Sequence, residues 1–534
     1  MEHRIPTLRK SFFYGLLGGI IATILLYIGT SLFALPYPPE AIFQLLIFPV
    51  PGSVQSVVVE TFREYAKYTT FVVSAGIYAI MYALLGVLVG FLFGRNLQSK
   101  RTVALVFGTT IPSIIAIGLD VLLRSRSSAL AYTAGWLISG ALILGVNLVY
   151  AGLFVQQMES HLKVQRIVPV QPTSSRRGFL KKAVIITAVV AIVGLLARVG
   201  LDVFSGQPVI RSGTPIPIDN PPVDTNLQDL PAVFRDERIR DLVGSEVTDN
   251  RVFYRVDINP IPPQLNFDQW SLKITGKVSN PITLNKDNLM ALPTQEEYAT
   301  LECVSNTINP PGALISNAKW TGVPLATLLN QVGVTSDAKY VVFHCADGYT
   351  VGIPLDRAMI PEALLAYKMN DELLPNGHGF PLRAIVPGIY GMMNAKWITE
   401  IEVLDHAYMG YWQERGWSND ARIKTTSIIY YPPPQAQVSG AIPIAGVAFA
   451  GDRGISKVEV SVDGGNTWTE ATLKSPRSPN SWVLWAYEWT PANKGKTTIT
   501  VRAYDGTGTR QDDSVAEPFP SGASAYHSIQ VTIM

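Results

Sequence analysis

The chain has 534 residues, which is enough for roughly three or four domains, and its formal net charge at pH 7 is +2. A charge balance this close to zero gives no argument for a nucleic-acid partner or a strongly acidic one. Only 16% of the residues are charged, which is low for a soluble protein and indicates a large membrane portion. Two cysteines, Cys303 and Cys345, are too few for a disulfide framework.

Long apolar runs occupy the first 205 residues. A membrane-spanning helix needs about 20 mostly apolar residues, and five runs meet this requirement, at about 12–35, 69–93, 103–123, 129–155 and 183–204. Glycines within them, such as Gly86 and Gly90, permit close helix packing. No histidine lies inside an apolar run, so the sequence gives no sign of a haem held between these helices. Residues 1–204 are therefore predicted to form an all-α transmembrane anchor of five helices, with a possible role in docking a partner.

Basic residues lie at the N-terminus and in the loops after the second and fourth apolar runs. Lysine and arginine are enriched in cytoplasmic loops of membrane proteins, so the N-terminus is predicted to be cytoplasmic. Five crossings then put everything after about residue 205 on the extracytoplasmic side, either periplasmic or extracellular.

The segment "SSRRGFLKKAVIITAVV" precedes the fifth apolar run and has the form of a twin-arginine export signal. Its core runs from Ser175 through Arg176 and Arg177 to Lys181. Such signals export proteins that have already folded in the cytoplasm, often around a cofactor. The alternative is that these basic residues only set the orientation of the following helix. The match at Phe179, Leu180 and Lys181 favours the export signal.

Three further regions follow the apolar runs. Residues 205–231 are rich in proline and polar residues and are predicted to be an extended linker. Residues 232–432 mix a strand-like segment, "WSLKITGKV", with two segments predicted to be helical, "PLATLLNQVG" and "PEALLAYKMN", which indicates an α+β domain. Residues 433–534 contain alternating strands and turns, such as "SKVEVSVDGGNTW", and predict an immunoglobulin-like β-sandwich.

Cys303 follows a strand-like run and precedes a loop rich in Asn, Pro and Gly. A thiolate in this position can be a nucleophile, a soft metal ligand or half of a disulfide. No local residue supplies the base that a nucleophile needs, and Cys345 is available as a disulfide partner outside the cytoplasm. On the local sequence alone, a disulfide or a buried thiol is therefore favoured over a metal ligand.

The segment "NGHGFPLRAIVPGIYGMMNAKW" contains His378, Arg383 and Lys396 among several glycines. Arginine offers a planar pair of donors for phosphate, histidine and lysine add further donors, and glycine lets a backbone approach a ligand closely. The composition indicates a polar cradle for an anionic, ring-bearing cofactor, although a structural loop with surface cations fits equally well. A second segment, "DNRVFYRVDINP", places Arg255 near Asp257 and Phe253 and is a weaker signal.

These segments together resemble the sulfite oxidase family of molybdopterin enzymes over about residues 250–534. The matching segments occur in the family's order: an F-x-R segment, "WSLKITGKV", the cysteine segment with "NAKWTGVPL", "IPLDRAM", "LLAYKMN", "HGFPLRAIVPG", "AKW" and "YWQERGW". The last region, with "GVAFAGDRGISKVEVSVDGGNTW", resembles the family's dimerisation domain. The resemblance implies a molybdenum–molybdopterin cofactor and a possible homodimer through residues 433–534.

The resemblance also implies a set of site residues. Cys303 would be the molybdenum ligand, and Arg255 would lie near the metal in contact with cofactor or substrate, so these two are the implied catalytic residues. His378 and Arg383 would contact the pterin and its phosphate. The full set of implied cofactor-binding residues is Phe253, Arg255, Asp347, His378, Arg383, Asn394, Ala395 and Lys396, the last three partly through backbone groups.

The chain departs from the family pattern at two places. Sulfite oxidases follow the cysteine segment's Asn with arginines that help to bind the anion, whereas Asn306 is followed by Thr307 and Ile308. They also carry a tyrosine where this chain has Trp417. Losing cations weakens the attraction for a dianion, and an indole cannot replace a phenol as both donor and acceptor. The resemblance therefore implies the type of reaction, but these two departures put sulfite in doubt as the substrate.

The combined expectation is a membrane-anchored, outward-facing molybdenum oxidoreductase that transfers oxygen atoms on a small sulfur compound. The alternative within this class is a sulfoxide reductase working with a membrane haem partner. An alternative of another class is a non-catalytic assembly subunit. Because no second redox centre is visible in the sequence, the expected electron partner is an external one-electron carrier, either a cytochrome c-type protein or a membrane haem subunit.

Overall fold

The computed structural model describes residues 5–33, 38–39, 42, 64–93, 101–124, 133–166, 229–259 and 262–534. The predicted fifth helix, the twin-arginine segment and nearly all of the predicted linker lie outside these residues. The described part divides into a helical unit and a larger unit that contains the sheets.

Among the described residues, four long helices contribute to the helical unit: α1 (Ile5–Phe33), α2 (Glu64–Phe93), α3 (Arg101–Arg124) and α4 (Thr133–Arg166). They overlap the first four predicted segments. By length and composition, three stretches are long and apolar enough to cross a membrane: Arg9–Ile28, Val72–Leu92 and Ala141–Met158. In α3 the apolar stretch among the described residues is Thr102–Ile117, which is shorter.

A buried polar cluster joins α2, α3 and α4. The Tyr82 hydroxyl donates to Asn147 Oδ1 over 2.6 Å, and Asn147 Nδ2 donates to Ser113 Oγ over 3.2 Å. The Tyr150 hydroxyl donates to the backbone carbonyl of Tyr82 over 2.9 Å. Because apolar side chains do not distinguish a neighbouring helix from lipid, hydrogen bonds of this kind fix which helix faces pack together.

The first sheet-rich region contains ten strands: β1 (Ser271–Gly276), β2 (Ile282–Asn285), β3 (Gln295–Glu302), β4 (Ile315–Pro324), β5 (Tyr340–Cys345), β6 (Thr350–Pro354), β7 (Leu364–Met369), β8 (Glu372–Leu373), β9 (Arg383–Ile385) and β10 (Ile398–Leu404). Its short helices are α5 (Arg240–Gly244), α6 (Lys286–Met290), α7 (Leu325–Val332) and α8 (Leu355–Ala358). One mixed sheet has the order β2-β1-β10-β5-β6, with β1 and β10 parallel. The other sheet is antiparallel and has the order β3-β4-β7-β8, and β9 also pairs with β7. One mixed and one antiparallel sheet with short helices match the predicted α+β class.

The prediction that "PEALLAYKMN" is helical is wrong, because its central residues form strand β7. This strand pairs with β4 on one side and with β8 and β9 on the other, so it lies in the middle of its sheet. Leu364, Leu365 and Ala366 are fully buried. Residues that form helices readily are held in a strand here because pairing on both sides satisfies the backbone, an effect that local sequence does not reveal.

The second sheet-rich region contains nine strands: β11 (Thr426–Tyr431), β12 (Gln437–Val438), β13 (Ile442–Phe449), β14 (Ile455–Ser461), β15 (Thr469–Glu470), β16 (Thr472–Leu473), β17 (Val483–Trp489), β18 (Gly495–Asp505) and β19 (His527–Ile533). Two sheets form, with the orders β11-β13-β17-β16 and β12-β19-β18-β14-β15. One apolar core draws on both, with Ile444 and Trp485 from the first and Val460 and Val501 from the second. The immunoglobulin-like topology stays a prediction.

Ion pairs and hydrogen bonds hold the two sheet-rich regions together. Lys474 Nζ lies 2.8 Å from a carboxylate oxygen of Glu246, and both side chains are buried. The indole of Trp482 donates to the backbone carbonyl of Glu246 over 2.9 Å. Arg357 pairs with Asp452 over 2.9 Å and also donates to the carbonyl of Pro387. The last contact supports the loop that follows β9, which lies beside the site described next.

Candidate functional site

A single cavity brings together all the residues that the sequence pointed to. Its empty volume, open mouth included, is about 950 Å³, which is within the usual size of a cofactor or ligand site. Every site residue predicted from the sequence lines it: Phe253, Arg255, Cys303, Asp347, His378, Arg383, Asn394, Ala395 and Lys396.

Cys303 reaches the cavity because it is the first residue after β3. Its backbone N–H donates to the Leu314 carbonyl over 2.9 Å, which continues the pairing of β3 with β4 by one residue. The Asn306 side chain then closes the loop, since its Nδ2 donates to Glu302 and its Oδ1 accepts from the Leu314 N–H over 3.1 Å. A fixed loop of this kind holds the thiol in one place.

The thiol of Cys303 is free and 8% exposed, and Cys345 is also a free, buried thiol. Of the two alternatives that the local sequence favoured, the structure shows the buried thiol and not the disulfide. Cys303 Sγ lies 3.1 Å from the Ser305 hydroxyl. Burial raises the pKa of the Cys303 thiol above its ordinary value. A metal cation bound to the sulfur would offset this effect, because metal coordination favours the thiolate.

His378 and Arg383 are buried polar residues on either side of a tight turn. His378 Nε2 lies 2.8 Å from the Asn250 carbonyl, so Nε2 carries the proton and Nδ1 is left as an acceptor. Burial, followed by the nearby charge of Arg383, lowers the pKa of His378 to about 3, which keeps the ring neutral at pH 7. The φ angle of +111° at Gly379 makes this turn possible.

The Arg383 guanidinium is buried and forms no ion pair among the described residues. It stacks on the Trp320 ring at 4.8 Å, and one Nη donates to the His378 carbonyl over 3.1 Å. Its Nε is buried and has no hydrogen-bond partner among the described residues. Burial lowers the pKa of Arg383 to about 10, so it is still charged at pH 7. Buried charges are normally paired, so this arrangement fits an anionic ligand in the cavity.

Asp257 links the other two cations of the cavity. Arg255 Nε lies 3.1 Å from Asp257 Oδ2, and Lys396 Nζ pairs with Asp257 Oδ1. Lys396 also donates to the Val256 carbonyl over 3.2 Å. Burial lowers the pKa of Lys396, and the carboxylate of Asp257 opposes this effect. Two cations sharing one carboxylate leave a positive charge for a ligand.

Three of the remaining predicted residues, Asn394, Ala395 and Asp347, form hydrogen bonds with the backbone of neighbouring residues. The side chain of Asn394 is engaged within its own loop, since Oδ1 accepts from the Val386 N–H over 2.7 Å and Nδ2 donates to the Tyr390 carbonyl. Ala395 accepts from the Ala384 N–H through its carbonyl. Burial raises the pKa of Asp347, whose carboxylate accepts from the Tyr349 N–H over 3.0 Å.

Sequence reasoning missed several residues that line the cavity, among them Tyr254, Asp257, Tyr349 and Trp412. Asp257 stands in the segment that was singled out, but its contact with Lys396 spans 139 positions and no local pattern indicates it. A further buried carboxyl, Glu302, precedes the cysteine, and burial raises the pKa of Glu302 to about 7. Its charge is therefore partly suppressed near neutral pH.

The donor set fits a metal that is bound mainly by non-protein ligands. Across the described ranges, no group of three or more His, Cys, Asp or Glu side chains could hold a metal ion by itself. A single thiol, a neutral histidine and three cations fit an anionic organic cofactor that carries the metal and takes one protein ligand. These features support the cofactor that the sequence resemblance implied.

Two family models match consecutive parts of the chain. The family model described as "Oxidoreductase molybdopterin binding domain" matches residues 258–412, and "Mo-co oxidoreductase dimerisation domain" matches residues 418–533. The chain is 30% identical to the mitochondrial sulfite oxidase of Rattus norvegicus over 343 residues, which cover 55% of this chain and 63% of that protein. The match therefore spans less than two thirds of the rat protein.

Two further matches extend the comparison. The sulfite oxidase of Arabidopsis thaliana is 30% identical over 331 residues, covering 51% of this chain and 84% of that protein. Among solved structures, the sulfane dehydrogenase SoxCD from Paracoccus pantotrophus matches with a TM-score of 0.48 and 23% identity, covering 54% of this chain and 81% of that chain.

Proposed function

Since this chain belongs to the sulfite oxidase family of molybdopterin-dependent oxidoreductases, we propose that its Cys303 cavity catalyses oxygen-atom transfer on a small sulfur compound. The cofactor is molybdenum–molybdopterin. One observation carries the proposal: a free, buried thiol opens onto a cavity that is lined by three cations and large enough for this cofactor.

The proposed role of Cys303 is that of protein ligand to molybdenum, through its sulfur. The loop closed by Asn306 supports this role because it holds the thiol rigidly at the cavity wall. Cys345 is also free and is more deeply buried, but it does not line the cavity, so it has no proposed role in the reaction.

The cationic residues are proposed to hold the anionic part of the cofactor. Arg383 offers an unpartnered Nε, and Lys396 and Arg255 share a single carboxylate. His378 is proposed to accept from the pterin ring through Nδ1, since Nε2 is already engaged. Asn394, Ala395, Asp347 and Phe253 are proposed to shape the pocket, and Arg255 is also proposed to reach toward the reacting atoms.

When bound, the cofactor supplies the oxygen-atom exchange and accepts or donates two electrons. The residues of the chain orient it, balance its charge and exclude water from the reacting atoms. The electrons are proposed to pass one at a time to or from an external carrier, either a cytochrome c-type protein or a membrane haem subunit.

Two residues that follow Asn306 favour a substrate with little charge. Thr307 donates its hydroxyl to the Pro310 carbonyl over 2.8 Å, and Ile308 is buried in the apolar core. Neither lines the cavity or supplies a cation to it. Sulfoxide reduction, which needs no dianion-binding arginines, is therefore the second candidate reaction beside the oxidation of a small sulfur compound.

The membrane arrangement is part of the same proposal. The three apolar stretches long enough to span a bilayer support anchoring by residues 1–204, with a linker at 205–231 and domains at 232–432 and 433–534. We propose five spanning helices, a cytoplasmic N-terminus and an extracytoplasmic catalytic region exported through the segment at Ser175–Lys181. The last domain is proposed to be an immunoglobulin-like sandwich, and the dimerisation-domain match supports a homodimer.

Metal analysis and turnover of the full-length protein test the proposal. The protein, purified from a host that makes molybdopterin, is expected to contain about one molybdenum per chain and to turn over sulfite or a sulfoxide with artificial electron carriers. Cys303→Ser is expected to abolish turnover, whereas Cys345→Ser is expected to retain it. A protein without molybdenum would instead be a non-catalytic assembly subunit.

A further inference from the structure

Trp417 lines the cavity and has a buried polar atom for which the described residues provide no partner. The side chain is 5% exposed and lines the cavity that contains Cys303. Its indole Nε1 is buried and lacks a hydrogen-bond acceptor among the described residues. A buried N–H without an acceptor costs free energy, so such a group at a cavity wall calls for an acceptor within the cavity.

Other tryptophans show how unusual this is. Five indoles donate to backbone carbonyls: Trp270 to Ile398, Trp320 to Ala299, Trp397 to Asn376, Trp468 to Gly465 and Trp482 to Glu246. Trp485 is the other indole with a buried, unpartnered Nε1 within the described ranges, but it lies in the core of the C-terminal domain and does not line the cavity. Trp417 therefore combines an unsatisfied donor with access to a ligand.

Neighbouring contacts fix the position of this indole. The backbone N–H of Trp417 donates to the Trp412 carbonyl over 3.2 Å, and the N–H of Ser418 donates to the Pro520 carbonyl over 3.0 Å. The Phe519 ring meets the Trp417 ring edge to face, with centroids 5.2 Å apart. Gly416, with φ of +90°, turns the chain just before it. A donor held in this way needs no reorganisation when a ligand arrives.

We propose that the Trp417 indole N–H donates a hydrogen bond to an oxygen atom bonded to sulfur in the substrate or product. This inference rests on the proposed function, because it takes the ligand to be a sulfur compound bound in the Cys303 cavity. An indole is a donor only and carries no charge, so it recognises a sulfur–oxygen group without requiring a dianion. The absence of charge at Thr307 and Ile308 is consistent with this mode of recognition.

The test is equilibrium binding of two probes, sulfate and dimethyl sulfoxide, to the full-length holoprotein by calorimetry. Trp417→Phe keeps an aromatic ring and removes the N–H. It is expected to weaken dimethyl sulfoxide binding about 3- to 10-fold, and sulfate binding about tenfold or more, because hydrogen bonds to charged groups are stronger. A larger effect on sulfate identifies an oxyanion ligand, and an effect on dimethyl sulfoxide alone identifies a neutral sulfoxide.

Trp485→Phe is the matched control, since it removes an equally buried and unpartnered indole N–H from a residue that does not line the cavity. It is expected to leave the affinity for both probes unchanged. Failure of the wild-type holoprotein to bind either probe, or equal affinities in wild type and Trp417→Phe, would overturn the inference.

A second measurement on the wild-type protein covers the case in which Trp417→Phe does not fold. Ultraviolet resonance Raman difference spectra report hydrogen bonding of indole N–H groups. Adding dimethyl sulfoxide or sulfate is expected to shift one indole band toward its hydrogen-bonded position, and an unchanged spectrum for both overturns the inference. Molybdenum content separates this inference from the proposed function. If the protein contains molybdenum but the Trp417→Phe change does not alter probe binding, this inference alone is overturned. A metal-free protein overturns both.

Discussion

Asp257 and Lys396, 139 positions apart in the chain, form a buried ion pair at the cavity wall. The side chain of Asp257 is 1% exposed and also accepts from Arg255 over 3.1 Å. One carboxylate therefore positions two of the three cations that are proposed to hold the cofactor, and it reduces their mutual repulsion before any ligand binds.

Asp257→Asn is expected to destabilise the protein by about 2–4 kcal/mol, because removing one partner leaves buried charges uncompensated. Thermal unfolding of the detergent-solubilised protein measures this loss. Asp337→Asn, which breaks an exposed pair with Lys277, is the matched control and is expected to leave the melting temperature unchanged. Equal melting temperatures for wild type and Asp257→Asn would show that the pair does not hold the cavity wall.

Arg383→Met is expected to separate cofactor binding from stability. Without its guanidinium the cavity loses an unpartnered donor, so molybdenum and pterin content should fall at least tenfold. The melting temperature of the cofactor-free protein is expected to rise or stay constant, because a buried charge that has no ion-pair partner among the described residues is removed. Metal analysis, pterin fluorescence and thermal unfolding provide the three readings. Full cofactor content in Arg383→Met would contradict the proposed role.

The C-terminal domain is expected to lose stability in acid through His527. This residue is 1% exposed, and its Nδ1 accepts from the Ile429 N–H over 2.9 Å. Burial lowers the pKa of His527 to about 4, below the ordinary value of about 6.5 in an unfolded chain. The unfolded chain therefore binds more protons between these values, and the stability present above pH 6.5 is lost as the pH falls toward 4.

His527→Gln removes this titration. The stability difference between wild type and His527→Gln is expected to shrink by about 1.4 kcal/mol per pH unit from pH 6.5 down to pH 4, and to stay constant above pH 7. Chemical unfolding at a series of pH values measures it. His406→Gln, at an exposed histidine paired with Asp405, is the control. A difference that does not depend on pH would contradict the assignment.

The segment at Ser175–Lys181 can be tested without altering its charge. Replacing Arg176 and Arg177 together by lysine keeps the positive charges that orient the fifth helix but removes the paired arginines of an export signal. The catalytic region is expected to stay in the cytoplasm, as measured by protease accessibility in intact cells or spheroplasts. Unchanged export would mean that these residues act only as topology determinants.

The sequence identified the residues that line the site better than it identified the long-range contacts that position them. Cys303, His378, Arg383 and Lys396 were found because each lies in a distinctive local segment, and they do line one cavity. The choice between thiol and disulfide could not be made, because it depends on where the fold brings Cys345. The helix predicted over "PEALLAYKMN" failed for the same reason, since strand pairing from distant segments decided its conformation.

Trp417 shows a similar limit. From the sequence it was only a residue that could not replace a tyrosine. Its unsatisfied N–H becomes visible when the surrounding carbonyls are located, because the availability of an indole donor depends on acceptors contributed by other segments.

X-ray absorption at the molybdenum edge tests the central claim most directly. In the wild-type holoprotein, the spectrum is expected to contain the sulfur of Cys303 among the metal's neighbours. Cys303→Ser, loaded in the same host, is expected to show one sulfur neighbour fewer, whereas Cys345→Ser should match the wild type. An identical molybdenum–sulfur coordination number in wild type and Cys303→Ser would contradict the account.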